Sequence, residues 1–127
     1  MRLGVGMPKP ELEFFLPDAL RWEPVAASPT AGAGGAGVTQ KILSRDADTG
    51  DTTRLLHFDA GVETTDSIAH DFWEEVWILE GALIDLGKGQ TFTAGMYACR
   101  PPGMRHGPYR VPDGCTTLEI RYGARAR

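Results

Sequence analysis

Cysteine is scarce in this chain. Cys99 and Cys115 are the only two among 127 residues, too few for a disulfide framework, and they read as free thiols of a reducing compartment. Long apolar runs are missing as well: no stretch approaches the roughly 18 residues that cross a membrane as a helix. Met1 to Pro10 carries only Arg2 and Lys9 as charges and has no apolar h-region, so it does not read as a secretory signal, and the expected location is cytoplasmic. Nor is there an excess of positive charge. Thirteen Lys and Arg against seventeen Asp and Glu leave a net charge of −4, whereas a nucleic-acid binder shows a basic face. Three arginines lie between Arg121 and Arg127, a short basic tail that reads as a solvated end. No repeat of fixed period is present. The expected partners therefore include neither nucleic acid nor membrane.

What the chain does have is glycine, 16 residues, and proline, nine. Most of them punctuate short extended segments. The length suits one domain, residues 1–127, large enough to bury roughly two-thirds of its unfolded surface. Residues 1–37 would hold short N-terminal strands, Glu13–Leu16 and Arg21–Val25, and a Gly/Ala-rich surface loop running from Ala26 to Gly37. From there to residue 122 the signals are strongly β. Val38–Arg45 and Thr52–Phe58 flank a hairpin turn at Asp48-Thr49-Gly50. Val76–Glu80 ends at Gly81 and continues as Ala82–Leu86. Thr91–Thr93, Met96–Arg100 and Cys115–Tyr122 follow. About nine short strands at this spacing mean an all-β sandwich or barrel. One segment is ambiguous: Ile68, Phe72, Trp73, Val76 and Trp77 also fall near helical spacing, with Ser67 as a cap.

Two clusters carry the chemistry. The first is His70-Asp71-Phe72-Trp73-Glu74-Glu75, running on to Gly81. The second holds Gly95, Pro101, Gly103 and His106. Together they contain two of the three histidines and a carboxylate pair, all able to bind metal. Here the sequence resembles the cupin superfamily. Gly95, Pro101, Gly103 and His106 match its second motif, G-x5-P-x-G-x2-H-x3-N, with Arg110 in place of the terminal Asn. His70, Glu74 and Gly81 match the second half of its first motif. The first His of that motif falls on Ile68, and Gly61 lies one residue further upstream than the pattern asks. Glu74-Glu75 before Val76, and Pro-Pro-Gly before His106, also resemble the sensory cupin domain of ChrR-type anti-sigma factors.

The resemblance implies a double-stranded β-helix, the cupin jelly-roll barrel over residues 38–122, with a central ligand cavity and a small-molecule substrate or ligand. It favours strands over the helix. A continuous strand would part His70 from Glu74 by about 13 Å, so Asp71-Phe72-Trp73 must turn the chain if both are to share an ion. His70, Glu74 and His106 are then the expected metal ligands and catalytic centre. Two His and a carboxylate leave open positions, an arrangement suited to Fe(II) and oxygen chemistry, while Zn, Mn or Ni would also be accepted. Ile68 cannot coordinate.

Strand alternation puts Glu74, Val76 and Ile78 on one face and Glu75, Trp77 and Leu79 on the other. The apolar outer pair suggests a homodimer. Ile68, Trp73, Tyr97, Arg100 and Met104 are the expected substrate pocket, with Phe72 beside Trp73 and with Arg100 or Arg105 suited to a carboxylate. Cys99 is expected in the core and His57 on the sheet surface. The expected activity is that of a mononuclear dioxygenase-like enzyme on a small organic acid or diketone; the alternative is a non-catalytic cupin, a sensor or carrier for a small molecule or Zn²⁺. A metal-free sugar epimerase would need a His–Asp pair and a Tyr, which His57 with Asp59 or Asp71 does not convincingly supply.

Overall fold

The structure is a computed structural model that describes residues 9–26 and 34–124. The middle of the Gly/Ala-rich loop, residues 27–33, lies outside the described residues, as do the first eight residues and the last three of the basic tail. Among the described residues the chain forms one short 3-10 turn, Pro17–Ala19, and nine strands: β1 (Glu23–Pro24), β2 (Val38–Arg45), β3 (Thr52–Phe58), β4 (Val62–Glu63), β5 (Trp73–Asp85), β6 (Gln90–Thr93), β7 (Tyr97–Arg100), β8 (Tyr109–Val111) and β9 (Cys115–Tyr122). Their pairings are all antiparallel, in the order β1-β2-β3-β9-β5-β8-β4, with β6 and β7 also on β5. No helix of the described residues is long and apolar enough to cross a membrane.

Local chemistry explains the elements. β2 and β3 return on each other through a turn in which the Asp46 carboxylate accepts from the backbone N–H groups of Asp48 and Thr49, at 2.8 and 3.2 Å, the usual stabilisation of an Asx turn. β5 is the organising strand. Its first half pairs with β9 and β7, and its last four residues pair with β6 and β8. Gly81 marks the crossover. Its φ is +76°, and a Cβ there would stand 2.1 Å from the Gly114 carbonyl oxygen, so no other residue fits. The expected break at Gly81 is therefore a bend within one 13-residue strand, carrying it from one side of the curled sheet to the other.

The inner face is read from burial. Arg54, Leu56 and Phe58 of β3, Cys115, Thr117 and Glu119 of β9, and Glu74, Val76 and Ile78 of β5 are all buried. Register aligns them in rows: Leu56 opposite Thr117, which faces Ile78, and Arg54 opposite Glu119, which faces Val76. The apolar core gathers at one end, around Val38, Leu56, Phe58, Ile68, Ile78, Leu83, Tyr109, Val111 and Cys115. Each such side chain contributes about 1.5–3 kcal/mol by leaving water. The charged rows occupy the other end of the same face. That division gives the interior an apolar floor and a polar level above it.

Several expectations are corrected. Glu13–Leu16 forms no strand: Phe14 has a φ of +31°, outside β space, and Phe14 and Leu16 are exposed. The short strands β4 and β8 were not anticipated. Cys99 is exposed rather than in the core, because it shares the outer face of β7 with Tyr97. His57 does lie on the sheet surface, half-buried against Trp22 and bonded to Thr116.

Candidate metal centre

Three segments meet at the polar level. His70 lies two residues after Ile68, which forms an isolated antiparallel bridge with His106; Glu74 is the second residue of β5, and His106 lies in the segment between β7 and β8. Asp71 and Phe72 bend the chain between His70 and Glu74, which brings the His70 Nε2 and Glu74 Oε1 atoms to 3.5 Å. Two backbone contacts tie the segments together: Gly103 N–H donates to the His70 carbonyl at 2.8 Å, and Ile68 and His106 exchange N–H···O=C bonds of 2.7 and 2.9 Å. The buried Asp85 carboxylate accepts from Gly107 N–H at 3.3 Å and so anchors the residue after His106.

The side chains converge. His106 Nε2 and His70 Nε2 are 3.2 Å apart, and the ligand atoms of His70, Glu74 and His106 all lie within 4.8 Å of one another. All three residues are buried. Each imidazole presents Nε2 inward because its other nitrogen is engaged elsewhere. His70 Nδ1 lies 3.3 Å from the Phe72 carbonyl, to which it donates, and its ring stacks on Phe72 at 4.0 Å. His106 Nδ1 lies 2.7 Å from the Tyr109 hydroxyl. Outer partners of this kind orient ligand histidines. Nitrogen and oxygen donors about 2.1 Å from one ion stand roughly 3.0–3.4 Å apart; the 3.2 Å spacing falls within that range and the 3.5 Å one just beyond it, so the three residues could hold one ion.

Charge around the centre is unusual. Glu74 receives Arg100 Nη1 on Oε1 at 3.0 Å and Arg121 Nε on Oε2 at 2.8 Å. Burial opposes ionisation of Glu74, yet the His70 contact and the charges of Arg121 and Arg100 outweigh it and hold the carboxyl far below its ordinary range. His106 is pushed down to about 3, by burial first and then by the Arg100 charge. At neutral pH it is therefore a neutral imidazole, the form that ligates metal. Arg121 also lies over the Phe72 ring, 5.0 Å from its centroid. A second buried pair, Arg54 Nε to Glu119 Oε1 at 2.8 Å, extends the row of alternating charge.

Cavities flank this row. One of about 20 Å³ touches Glu74, His106, Thr117 and Arg121. One of about 200 Å³ is lined by Val76, Ile78, Leu83, Phe92 and Met104, with Tyr97 and Arg100. Arg100 lines both. A third, of about 380 Å³, opens beyond Phe72 and Arg121 towards Arg45 and Arg54.

The expected pocket residues divide accordingly. Tyr97, Arg100 and Met104 line the 200 Å³ cavity. Ile68 is buried in the core beside His106. Trp73 does not wall any of these cavities: it alternates with Glu74 along β5 and is exposed, its ring close to Gly123. Its neighbour Phe72 lines the 380 Å³ cavity instead. Sequence reading places Tyr109 near the pocket but misses Arg121 and Glu119. Alternation along β9 from Cys115 carried a signal for Glu119 and Arg121, since both share its face.

Comparison with known proteins follows the same lines. No curated protein sequence matches the chain. Among solved structures, an RmlC-like cupin from Shewanella frigidimarina NCIMB 400 superposes with a TM-score of 0.67 at 22% identity, covering 94% of this chain and 96% of that one. An acetylacetone dioxygenase from Acinetobacter johnsonii gives 0.68 at 21% identity, with 90% and 75% covered. A chain in the structure of Rhodobacter sphaeroides SigE in complex with the anti-sigma ChrR gives 0.59 at 23% identity, covering 83% of this chain; this chain spans 51% of that one. These likenesses establish the cupin fold. Residues 14–124 match the ChrR Cupin-like domain family, and the chain belongs to that family.

Proposed function

We propose that this cupin binds one divalent transition metal per chain through His70, Glu74 and His106, with Fe(II) favoured over Zn, Mn or Ni, and acts as a dioxygenase-like enzyme on a small organic acid or diketone. The observation that carries the reading is the convergence of three buried ligand atoms within 4.8 Å while the neighbouring position holds Ile68, which cannot ligate. A three-ligand site leaves positions for substrate and oxygen. When bound, the metal would supply Lewis-acid and redox chemistry. The chain's own residues would do the rest. Met104, Val76 and Ile78 would exclude water from the 200 Å³ cavity, and Arg100 would orient an acidic substrate there. Expected sites of catalysis are thus the three ligands, with Tyr97, Arg100 and Met104 as the pocket.

The test is oxygen uptake by anaerobically Fe(II)-loaded protein against a panel of small diketones and organic acids. Turnover that disappears in His106→Ala supports the enzyme; turnover retained in His106→Ala defeats it. A second reading, a non-catalytic sensor or carrier, draws on the family match and on the pairing of Glu74 with two arginines. Stoichiometric metal or ligand binding with no oxygen or substrate consumed would select it.

The outer face of β5 supports a homodimer. Trp77 and Leu79 are 50% and 41% exposed, beside exposed Met96 and Tyr97, a patch too apolar to be left to water. Light scattering should give twice the chain mass for the wild type and the monomer mass for Trp77→Glu; a monomeric wild type would exclude the dimer.

A further inference from the structure

Arg100 stands between two sites. On one side its Nη1 donates to Glu74 Oε1 at 3.0 Å, and that oxygen is the one 3.5 Å from His70 Nε2. Its Nη2 donates to the Tyr109 hydroxyl at 3.0 Å, the same hydroxyl that touches His106 Nδ1. On the other side Arg100 lines the 200 Å³ cavity, whose wall is largely apolar, with Val76, Ile78, Leu83, Phe92 and Met104, and which Lys88 joins as a second cation. A cation ligated by Glu74 Oε1 would share that oxygen with a guanidinium, and the two positive charges would repel in a buried setting. Glu74 keeps Arg121 on Oε2 at 2.8 Å, so losing Arg100 does not leave its carboxylate without a cationic partner.

A guanidinium in the wall of a largely apolar cavity has a natural ligand. A carboxylate with an apolar body would fill the cavity, take a bidentate hydrogen-bonded pair from Arg100 and offset its charge. Arg100 would then be released from Oε1, and the oxygen would be open to the metal.

We propose that Arg100 couples the two sites: in the ligand-free chain it competes with metal for Glu74 Oε1, and a small apolar carboxylate bound in the 200 Å³ cavity withdraws it, so that acid and metal bind cooperatively. The coupling is reciprocal by linkage, each ligand tightening the other by the same factor. This rests on the three-ligand centre proposed above and adds to it a coupling between acid and metal. Tyr109 is the neutral partner left to Arg100 on the ring side, which keeps the guanidinium near the cavity as it moves.

The experiment measures Co(II) affinity of the full chain by calorimetry, with and without hexanoate or benzoate, using hexanamide and benzamide as uncharged controls. The wild type should bind Co(II) at least about tenfold more tightly with either acid and unchanged with the amides, a coupling of the common size. Arg100→Met should bind Co(II) more tightly than the wild type without acid and ignore the acids; Arg100→Gln serves the same purpose if the Met variant melts early. An acid that merely ligates the metal would tighten both proteins equally, and that result overturns the proposal. Equal Co(II) affinity with and without acid in the wild type also overturns it, while leaving the centre intact. Absence of Co(II) binding in every protein would instead remove the centre on which it rests.

Discussion

Ile68 and His106 face each other as a hydrogen-bonded antiparallel pair, exchanging backbone bonds of 2.7 and 2.9 Å. Directly opposed residues of such a pair send their side chains to the same face, with Cβ atoms about 5.5 Å apart. The side chain at position 68 therefore leaves the backbone beside the His106 ring. Ile68 stands where a fourth ligand would enter, and it belongs to the apolar core instead.

Replacing it should restore that ligand. Ile68→His is expected to tighten metal binding by at least about tenfold, since an added oriented donor commonly outweighs the loss of one apolar contact. The metal-free variant should lose about 1–3 kcal/mol of stability, the value of a buried aliphatic side chain. Calorimetric titration with Zn²⁺ and urea denaturation with chelator present measure the two effects. Unchanged or weaker Zn²⁺ binding in the variant would show that position 68 does not reach the centre.

The Arg54–Glu119 pair tests the charged interior. Both side chains are nearly inaccessible, at 5% and 7%, and Arg121 Nη2 lies 3.6 Å from the same Glu119 oxygen. Removing one partner leaves a buried charge unmatched, at a cost of about 3–5 kcal/mol. Glu119→Ala should fall by that amount in urea denaturation. Arg54→Met combined with Glu119→Leu should recover most of it, because buried pairs replaced together by apolar groups are often neutral. Equal losses in the single and double variants would contradict the pairing.

Acid should unfold the metal-free protein through His106. Its folded pKa of about 3 lies below the ordinary 6.5, so between those values the unfolded chain binds a proton that the folded chain refuses. Stability is thus full above pH 6.5 and declines as pH falls towards 3, by on the order of 5 kcal/mol in total. Glu74, also depressed, acts in the same direction below its ordinary value. Urea midpoints of chelated protein between pH 7 and 5 should fall in the wild type and stay nearly level in His106→Gln. A level wild-type profile would show that His106 is not buried as a neutral ring.

The two thiols should behave differently. Cys99 is exposed, whereas Cys115 is buried and its thiol is pushed up to about 11 by burial first and by Glu119 second. Thiolate is the reactive form. Titration with a disulfide reagent at pH 8 should count one thiol per native chain and two after unfolding, with none in native Cys99→Ser. Two fast thiols in the native protein would contradict the assigned faces of β7 and β9.

The residues legible in advance were those with few substitutes. Gly95 and Gly103 have φ of +91° and +83°, and Pro101 precedes a reversal, so type and spacing together mark the loop that delivers His106. Alternation in β5 was equally plain: Glu74, Val76 and Ile78 are buried, while Trp77 and Leu79 are exposed. β9 misleads for the same physical reason that usually helps. Its inward residues include Thr117, Glu119 and Arg121, while Leu118 and Ile120 alternate to the outside, so hydropathy alone inverts the strand. Alternation places Arg121 and Arg54 on a face but does not mark their role, because an interior arginine differs from a surface one only by its partner. β4 and β8, two and three residues long, are too short for any periodicity, and the bend at Gly81 is set by the distant Gly114 backbone.

Whether His70, Glu74 and His106 hold a metal decides the function proposed for this chain. Elemental analysis after anaerobic Fe(II) loading and removal of free metal tests it most directly, with His106→Ala treated in parallel. The account predicts about one metal per wild-type chain and none in the variant. No metal in either protein, or equal metal in both, would contradict it.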